Sequence, residues 1–535
     1  MKLNYKKTIY VGFAFFLICA FWQAYDNTIP LILTNKFGLS QTVSGIIMAL
    51  DNVLALFMLP LFGAISDRSK SPKGRRTPFI IVGTIVAVVA FILLAIVDGA
   101  QLKNIEQYAK VDDPTALEAV YEEASKAEEL MSPAGEKFVL QEKFTKEEFK
   151  AISSTIPNPA SSGAATITNP DYTNYVVPAR QWVIQGATHQ HPGTLIIFFV
   201  LLLITLLAMA TFRSPAVALM PDVTIKPLRS KANAVINLMG AAGGIIVLAL
   251  GIVFATGSTK NSFMPYLPYF AVIAIIMILA LAIFKMKVNE PKFVMEMHEE
   301  SLRLGLTEWD QEGVDTNAQG EGSRDNNGHH GRKLTAAEKR SLALILISIV
   351  LWFMGYNAVT SKYSVYASTI LHKDYNLTLI VAQIAAIISY LPVGIIASKI
   401  GRKKTIIAGI VMLAVSFGVA STMRATSPAL LMNVLFALAG IGWATINVNS
   451  FPMVVEMCSE GDVGKFTGFY YTASMAAQVV TPIFSGFLMD KMGMTILFPY
   501  ATIFAAAAII TMVGVKHGDS KPEARKGIEA LEEME

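Results

Sequence analysis

Charge is what this sequence has least of. Only 16% of its 535 residues are Asp, Glu, Lys or Arg, against roughly 25% in soluble domains. With 53% hydrophobic residues, an ordinary soluble domain is excluded and a polytopic membrane protein is the plain reading. Cysteine is almost absent. Cys19 stands in an apolar run and Cys458 near a loop, so no structural disulfide between them is expected. The histidines fall in loops or at helix ends without metal-ligand spacing, and His189 and His191 read as part of a solvated loop. No glycine-rich nucleotide loop occurs, and no nucleophile stands beside a histidine. These absences argue against an enzyme, a resident metal or other cofactor, and a nucleic-acid partner. Met1–Lys7 and the apolar run behind it imitate a signal peptide. The run holds Trp22, Gln23 and Asp26 and lacks a small-x-small cleavage site, so it reads as an uncleaved first span.

What is abundant is apolar runs long enough to cross a bilayer, about 20 residues each. Twelve segments qualify: 9–34, 43–66, 79–97, 194–220, 231–256, 266–286, 341–369, 377–398, 405–423, 427–451, 464–488 and 494–515. An even number puts both termini on one side. Lys2, Lys6 and Lys7 precede span 1. The loops after spans 2, 4, 6, 8 and 10 carry Arg68–Arg76, Lys226–Lys231, Lys285–Arg340, Lys399–Lys404 and Lys465. Basic short loops face the cytoplasm, so both termini are expected there, in a plasma membrane or bacterial inner membrane.

The spans divide the chain into a first half over 1–286, a linker over 287–340, a second half over 341–515 and a tail over 516–535. The linker core Gly320–Gly331 is polar and flexible in composition. The tail suggests a helix near Ile528–Met534. A long insertion, 98–193, separates spans 3 and 4. It holds fourteen acidic and eight basic residues. Asp112 to Lys150 reads as one or two helices, and Ser153 to Pro192 as loop. A bland cap or a lid that catches ligand or partner are both open readings.

Ionisable groups inside spans are functional hypotheses by default. Span 1 holds Trp22, Gln23, Asp26 and Asn27; span 2 holds Asp51 and Asn52. Both carboxylates lie eight residues from the same end of their spans, about 12 Å deep. Desolvation and a neighbouring like charge favour the protonated carboxyl, so the pair suits a shared proton or cation. The competing reading has Asp51 only hydrogen-bonding through Asn27 or Asn52. In span 4, Arg213 offers a fork of donors for sugar hydroxyls or a carboxylate; a gating pair or snorkelling are its alternatives.

The second half has amides and aromatics instead. Trp352, Tyr356 and Asn357 lie in span 7, Gln383 in span 8, Trp443, Asn447 and Asn449 in span 10, and Gln478 in span 11. Tyr356 follows Trp352 by four, and Asn447 follows Trp443 by four, so each pair shares a helix face. A ring beside an amide suits a sugar; polar glue between helices is the bland alternative. Lys362 is expected to snorkel to the surface.

Two short stretches echo each other after the second span of each half. Gly63-Ala-Ile-Ser-Asp67-Arg68 runs on to Gly74-Arg75-Arg76, and Gly394-Ile-Ile-Ala397-Ser-Lys399 runs on to Gly401-Arg402-Lys403-Lys404. The pattern resembles the G-x-x-x-D-R/K-x-G-R-R/K loop signature of the major facilitator superfamily. The second copy has Ala397-Ser398 where the acid would stand. Pro215-Ala-Val-Ala-Leu-Met-Pro-Asp222, then Arg229, Ala232 and Asn233, resembles the span 4–5 signature of sucrose/proton symporters. Those are relatives of the glycoside–pentoside–hexuronide:cation symporters. Val217 replaces that family's span 4 arginine, and Arg213 lies one turn earlier. Gly464, Gly468 and Gln478 are similar to its span 11 pattern.

The resemblance implies an all-α membrane fold: twelve helices in two pseudo-symmetric six-helix bundles around a midplane cavity. It implies proton-coupled symport of a sugar or glycoside, such as sucrose or maltose, by alternating access. Sodium is the alternative ion. Asp26 and Asp51 would couple the ion. Trp22, Gln23, Asn27, Asn52, Arg213, Tyr356, Asn357, Gln383, Trp443, Asn447 and Gln478 would bind substrate. Asp67, Arg68, Arg75, Arg76, Asp222 and Arg229 would form a cytoplasmic latch. The partners are the sugar and the bilayer, with the chain working as a monomer. The rivals are an exporter of amphipathic compounds, which needs a Met- and Phe-rich pocket, and a solute sensor that moves nothing.

Overall fold

The computed structural model describes residues 3–157, 166–225, 228–304, 335–455, 457 and 463–517. The linker core Gly320–Gly331, Cys458 and the tail segment Ile528–Met534 lie outside the described residues.

Twelve long helices follow the apolar runs: α1 Tyr5–Asn35, α2 Gln41–Asp67, α3 Thr77–Asn104, α4 Gly193–Asp222, α5 Arg229–Val253, α6 Leu267–Lys287, α7 Ala336–Tyr366, α8 Tyr375–Ile400, α9 Arg402–Ala420, α10 Ala429–Val455, α11 Val463–Met492 and α12 Leu497–Val513. Eleven are long and apolar enough to cross a membrane, and α8 contributes a shorter apolar stretch, Tyr375–Tyr390. Most outrun the apolar run that announced them, because polar caps extend them into the interface. Ser40 accepts from the Val43 amide to start α2, and Thr335 with Glu338 forms a capping box before α7. Each cap satisfies amides left bare at a helix start.

Two apolar cores form. One is built from α1–α6, with Phe21, Phe91, Phe212 and Phe270 buried in it. The other is built from α7–α12 around Trp352, Tyr363, Phe436 and Phe498. Packing repeats between them: α1 on α5 matches α7 on α11, α3 on α4 matches α9 on α10, and α3 on α6 matches α9 on α12. The halves meet where α2 packs on α11, α5 on α8 and α1 on α7. At Gly45 and Gly486 the α2 and α11 backbones approach so closely that a Cβ would strike a carbonyl of the other helix.

The insertion is a small folded unit, not the expected helix-then-loop. Helices Pro114–Ala124, Leu140–Lys143 and Lys146–Lys150 pair with a hairpin of β1 Leu130–Met131 and β2 Lys137–Phe138. A second hairpin joins β3 Thr155–Pro157 to β4 Thr166–Thr168. The stretch read as loop contains a fourteen-residue helix, Val177–Gln190. Its buried residues Ala179, Val183 and Ile184 recur at helical spacing beneath a mainly polar surface. His189 is exposed on its last turn. The linker likewise begins as a helix, Glu290–Arg303.

Candidate functional site

In the first half, three charges come together. The field of Asp51 and that of Arg213 both reach Asp26, and Arg213 also acts on Asp51. All three side chains are half-buried. Arg213 lies over the Trp22 ring, 5.6 Å from its centroid, a cation–π contact. Trp22 meets Tyr25 edge-on at 5.3 Å. The Trp22 indole N–H and the Tyr25 hydroxyl are buried without a partner. Unspent donors are rare in folded proteins; here two stand on the same helix as Asp26, within four residues of it.

The amides divide their duties. Asn52 holds the Asp51 carboxylate with its backbone N–H at 2.6 Å and its side-chain amide at 2.8 Å. Asn27 donates to the Gln23 carbonyl at 2.7 Å and so braces its own helix.

In the second half, Tyr356 and Trp443 stack face to face, 3.7 Å apart and 4° from parallel. Phe353 meets Trp443 edge-on. Asn447 lies close to Tyr390, which in turn lies beside Tyr356. Tyr390 belongs to this group and was not singled out from sequence, since one tyrosine in an apolar run carries no periodic signal. Asn357 keeps a buried, unpartnered amide nitrogen. Trp352 is fully buried in the second apolar core, against which Tyr356 also packs.

The two sets meet at α5. A methyl group on Gly244 would sit 3.3 Å from Gln23 Oε1 and 3.1 Å from Gln383 Nε2. An amide from α1 and one from α8 thus converge on a helix position kept bare. Gln478 is half-buried on α11, and among the described residues its side chain makes no hydrogen bond to this group.

At the insertion end of the bundle, hydrogen bonds tie the halves together. The Asp490 carboxylate at the end of α11 accepts from the Gln41 and Thr42 amides, both at 2.7 Å, and from the Thr42 hydroxyl at 2.5 Å. It caps the α2 amino terminus, where a negative charge is stabilised. Lys362 does not snorkel. It is fully buried and donates to the Gln41 carbonyl at 2.8 Å, with Asp490 the charge that acts on it. A carbonyl on the opposite half holds it inside. Thr256 of the first half bonds Tyr375 at 2.8 Å and Asn376 at 3.0 Å. His372 caps the turn after α7. Burial pushes it down to about 4, so it is neutral at ordinary pH; its Nδ1 donates to the Ser368 carbonyl and its Nε2 accepts from Thr173.

At the opposite, basic end, ion pairs tie the loop after α2 to the end of α4. Asp222 takes Arg75 at 2.7 Å and Arg76 at 2.8 Å, and Arg76 also pairs with Asp67. Arg68 is exposed and, among the described residues, joins none of these pairs. Arg229 donates to the Thr224 carbonyl at 3.3 Å. The network brings together most of the expected latch residues as an internal brace. Glu290, unforeseen, completes it. Buried, it accepts from the Arg76 amide at 2.9 Å, the Thr77 amide at 2.8 Å and the Thr77 hydroxyl at 2.7 Å. A charged residue in a charged linker reads as solvated; its partners lie more than two hundred residues away.

Among the described residues, no three His, Cys, Asp or Glu side chains come close enough to hold a metal. The family model for the Major Facilitator Superfamily matches residues 182–389 and 345–530, and that for "MFS/sugar transport protein" matches 10–103. Among solved structures, the inward-open xylose transporter XylE from E. coli is similar with a TM-score of 0.53 at 14% identity, over 99% of each chain. A bacterial homologue of the iron transporter ferroportin, inward-facing, gives 0.57 at 11% identity over 96% of this chain and 99% of its own. A POT family transporter in complex with 5-aminolevulinic acid gives 0.55 at 9% over 95% of each. At these identities the likeness is one of fold. No curated protein sequence matches the chain.

Proposed function

The chain belongs to the major facilitator superfamily and is a multi-pass secondary transporter, not an enzyme, working by alternating access; from that premise we propose proton-coupled symport of a sugar or glycoside. The carrying observation is the split site. Three charges on α1, α2 and α4 face an aromatic and amide set on α7, α8 and α10, with Gln23 and Gln383 meeting between them.

Arg213 balances only one of two carboxylates. The cluster therefore carries one net negative charge when both are ionised, and a single proton or sodium ion neutralises it. Neutralisation removes the cost of burying the charge when the halves close over it. In this reading Asp26 and Asp51 bind the ion, while Trp22 and Arg213 bound the substrate. The stacked Tyr356 and Trp443 rings suit the C–H face of a sugar, and Asn357, Gln383 and Asn447 its hydroxyls. The match of 10–103 to a sugar-transport family model supports the substrate class, and the loop and span 4–5 motifs support the sucrose and glycoside branch. XylE and a D-xylose–proton symporter share the fold.

The insertion end is closed by Asp490, Lys362 and Gln41; in this reading access runs from the basic end, and the loop charges support a cytoplasmic position for that end in a plasma or bacterial inner membrane. The test is uptake of labelled sucrose, maltose and other glycosides into proteoliposomes, under a pH gradient and then a sodium gradient. Proton-driven uptake is expected. Uptake that follows only sodium would move the ion, and no glycoside uptake under either gradient would overturn the reading.

A further inference from the structure

The insertion between α3 and α4 touches neither Asp26 nor the Tyr356–Trp443 pair, yet it is folded around its own core of Val120, Leu140, Phe149 and Val176. It is rooted in the first half. Gln181 donates to the Leu39 carbonyl at 3.1 Å, and Gln101 of α3 donates to Thr188 at 3.1 Å. It then reaches across to the second half at two turns. The Met494 amide, in the α11–α12 turn, donates to the Pro133 carbonyl at 2.7 Å. Beside that bond, Gly135 of the β1–β2 hairpin and Gly493 face each other, both at positive φ, +90° and +88°. A Cβ on either would strike the other's turn. The second contact is Thr173 against His372, 3.1 Å, in the α7–α8 turn.

We propose that the insertion is a clamp that, docked on the α11–α12 and α7–α8 turns, holds the insertion end of the transporter shut and sets how readily it opens. The inference rests on the alternating-access premise. The same end carries the Asp490–Gln41 and Lys362–Gln41 bonds, which tie α2 to α11 and α7. Opening there must carry the second half away from the first. A domain covalently rooted in one half and bonded to the other must then let go in every cycle. Close backbone docking through two glycines is a shape-specific contact, which a merely solubilising cap would not need.

The test reads conformation and needs no substrate, so its failure is distinct from failure of the sugar assignment. Spin labels at Leu267 and Leu430, exposed at the insertion ends of α6 and α10, report separation of that end in the full-length protein in lipid, with Cys19 and Cys458 changed to Ser. Gly135→Ala and Gly493→Ala should each raise the separated fraction about fivefold, the effect of a modest loss of contact energy on a two-state balance. Local unfolding of the hairpin would release the clamp in the same direction. A Pro133→Cys, Met494→Cys pair should abolish the separated fraction when oxidised and restore it on reduction. A separated fraction unchanged in both glycine variants, or one that survives the oxidised pair, would overturn the proposal.

Discussion

The two halves share a packing plan but not a chemistry. The first carries Asp26, Asp51 and Arg213 in one field-coupled group. The second carries a stacked Tyr356–Trp443 pair with Tyr390 and Asn447 beside it. Pseudo-symmetric scaffolds need not hold symmetric sites, because the repeat constrains backbone packing and leaves cavity-facing side chains free. We read the asymmetry as a division of labour, with ion on one side and sugar on the other. That reading breaks if a change in one half produces the deficit assigned to the other.

The largest effect is expected at the charges. Asp26→Asn should lower gradient-driven accumulation at least about 100-fold, the scale of losing an interaction of some 3 kcal/mol. It should leave sugar exchange at equal pH largely intact. Equal loss of exchange and accumulation would assign Asp26 to substrate binding instead. Next comes the ring stack. Trp443→Ala should raise the KM for the transported sugar about tenfold, a contact of roughly 1–2 kcal/mol, while its pH dependence stays that of the parent. A shifted pH profile with unchanged KM would dissolve the division.

Smaller effects should come from the ends of the bundle. Asp490→Asn bares Lys362 and weakens the α2 cap. Spin-label distances between Leu267 and Leu430 should then lengthen in a larger share of molecules, and an unchanged distribution would remove Asp490 from the closure. Acid should loosen the same end mildly through His372. Its value falls from 6.5 in the free side chain to about 4 when docked, so the undocked form binds the proton better. The docking contribution is complete above about pH 6.5 and is lost as pH falls toward 4. Lys373 is the neighbouring charge. His372→Gln should flatten this dependence in the same distance measurement; a slope that persists would place the titrating group elsewhere.

The spans were legible because hydropathy over twenty residues is a local property. Asp26, Asp51 and Arg213 were legible because a charge in an apolar run stands out, and the structure brings them together. Asp222 with Arg75 and Arg76 was legible as basic-loop chemistry. What could not be read depended on distant partners. Lys362 looks like any lysine near a helix end until Gln41, from the other half, supplies a buried acceptor. Glu290 looks solvated until it caps α3. The helix Val177–Gln190 was hidden by its polar composition, since Ala179, Val183 and Ile184 are its only buried apolar residues.

The most direct test is the proton itself. In lightly buffered proteoliposomes with no imposed gradient and with potassium and valinomycin to collapse the membrane potential, a transported glycoside is added outside and the external pH is followed. Symport predicts prompt alkalinisation that scales with sugar entry and disappears in Asp26→Asn. Sugar entry with no change in external pH would contradict proton coupling.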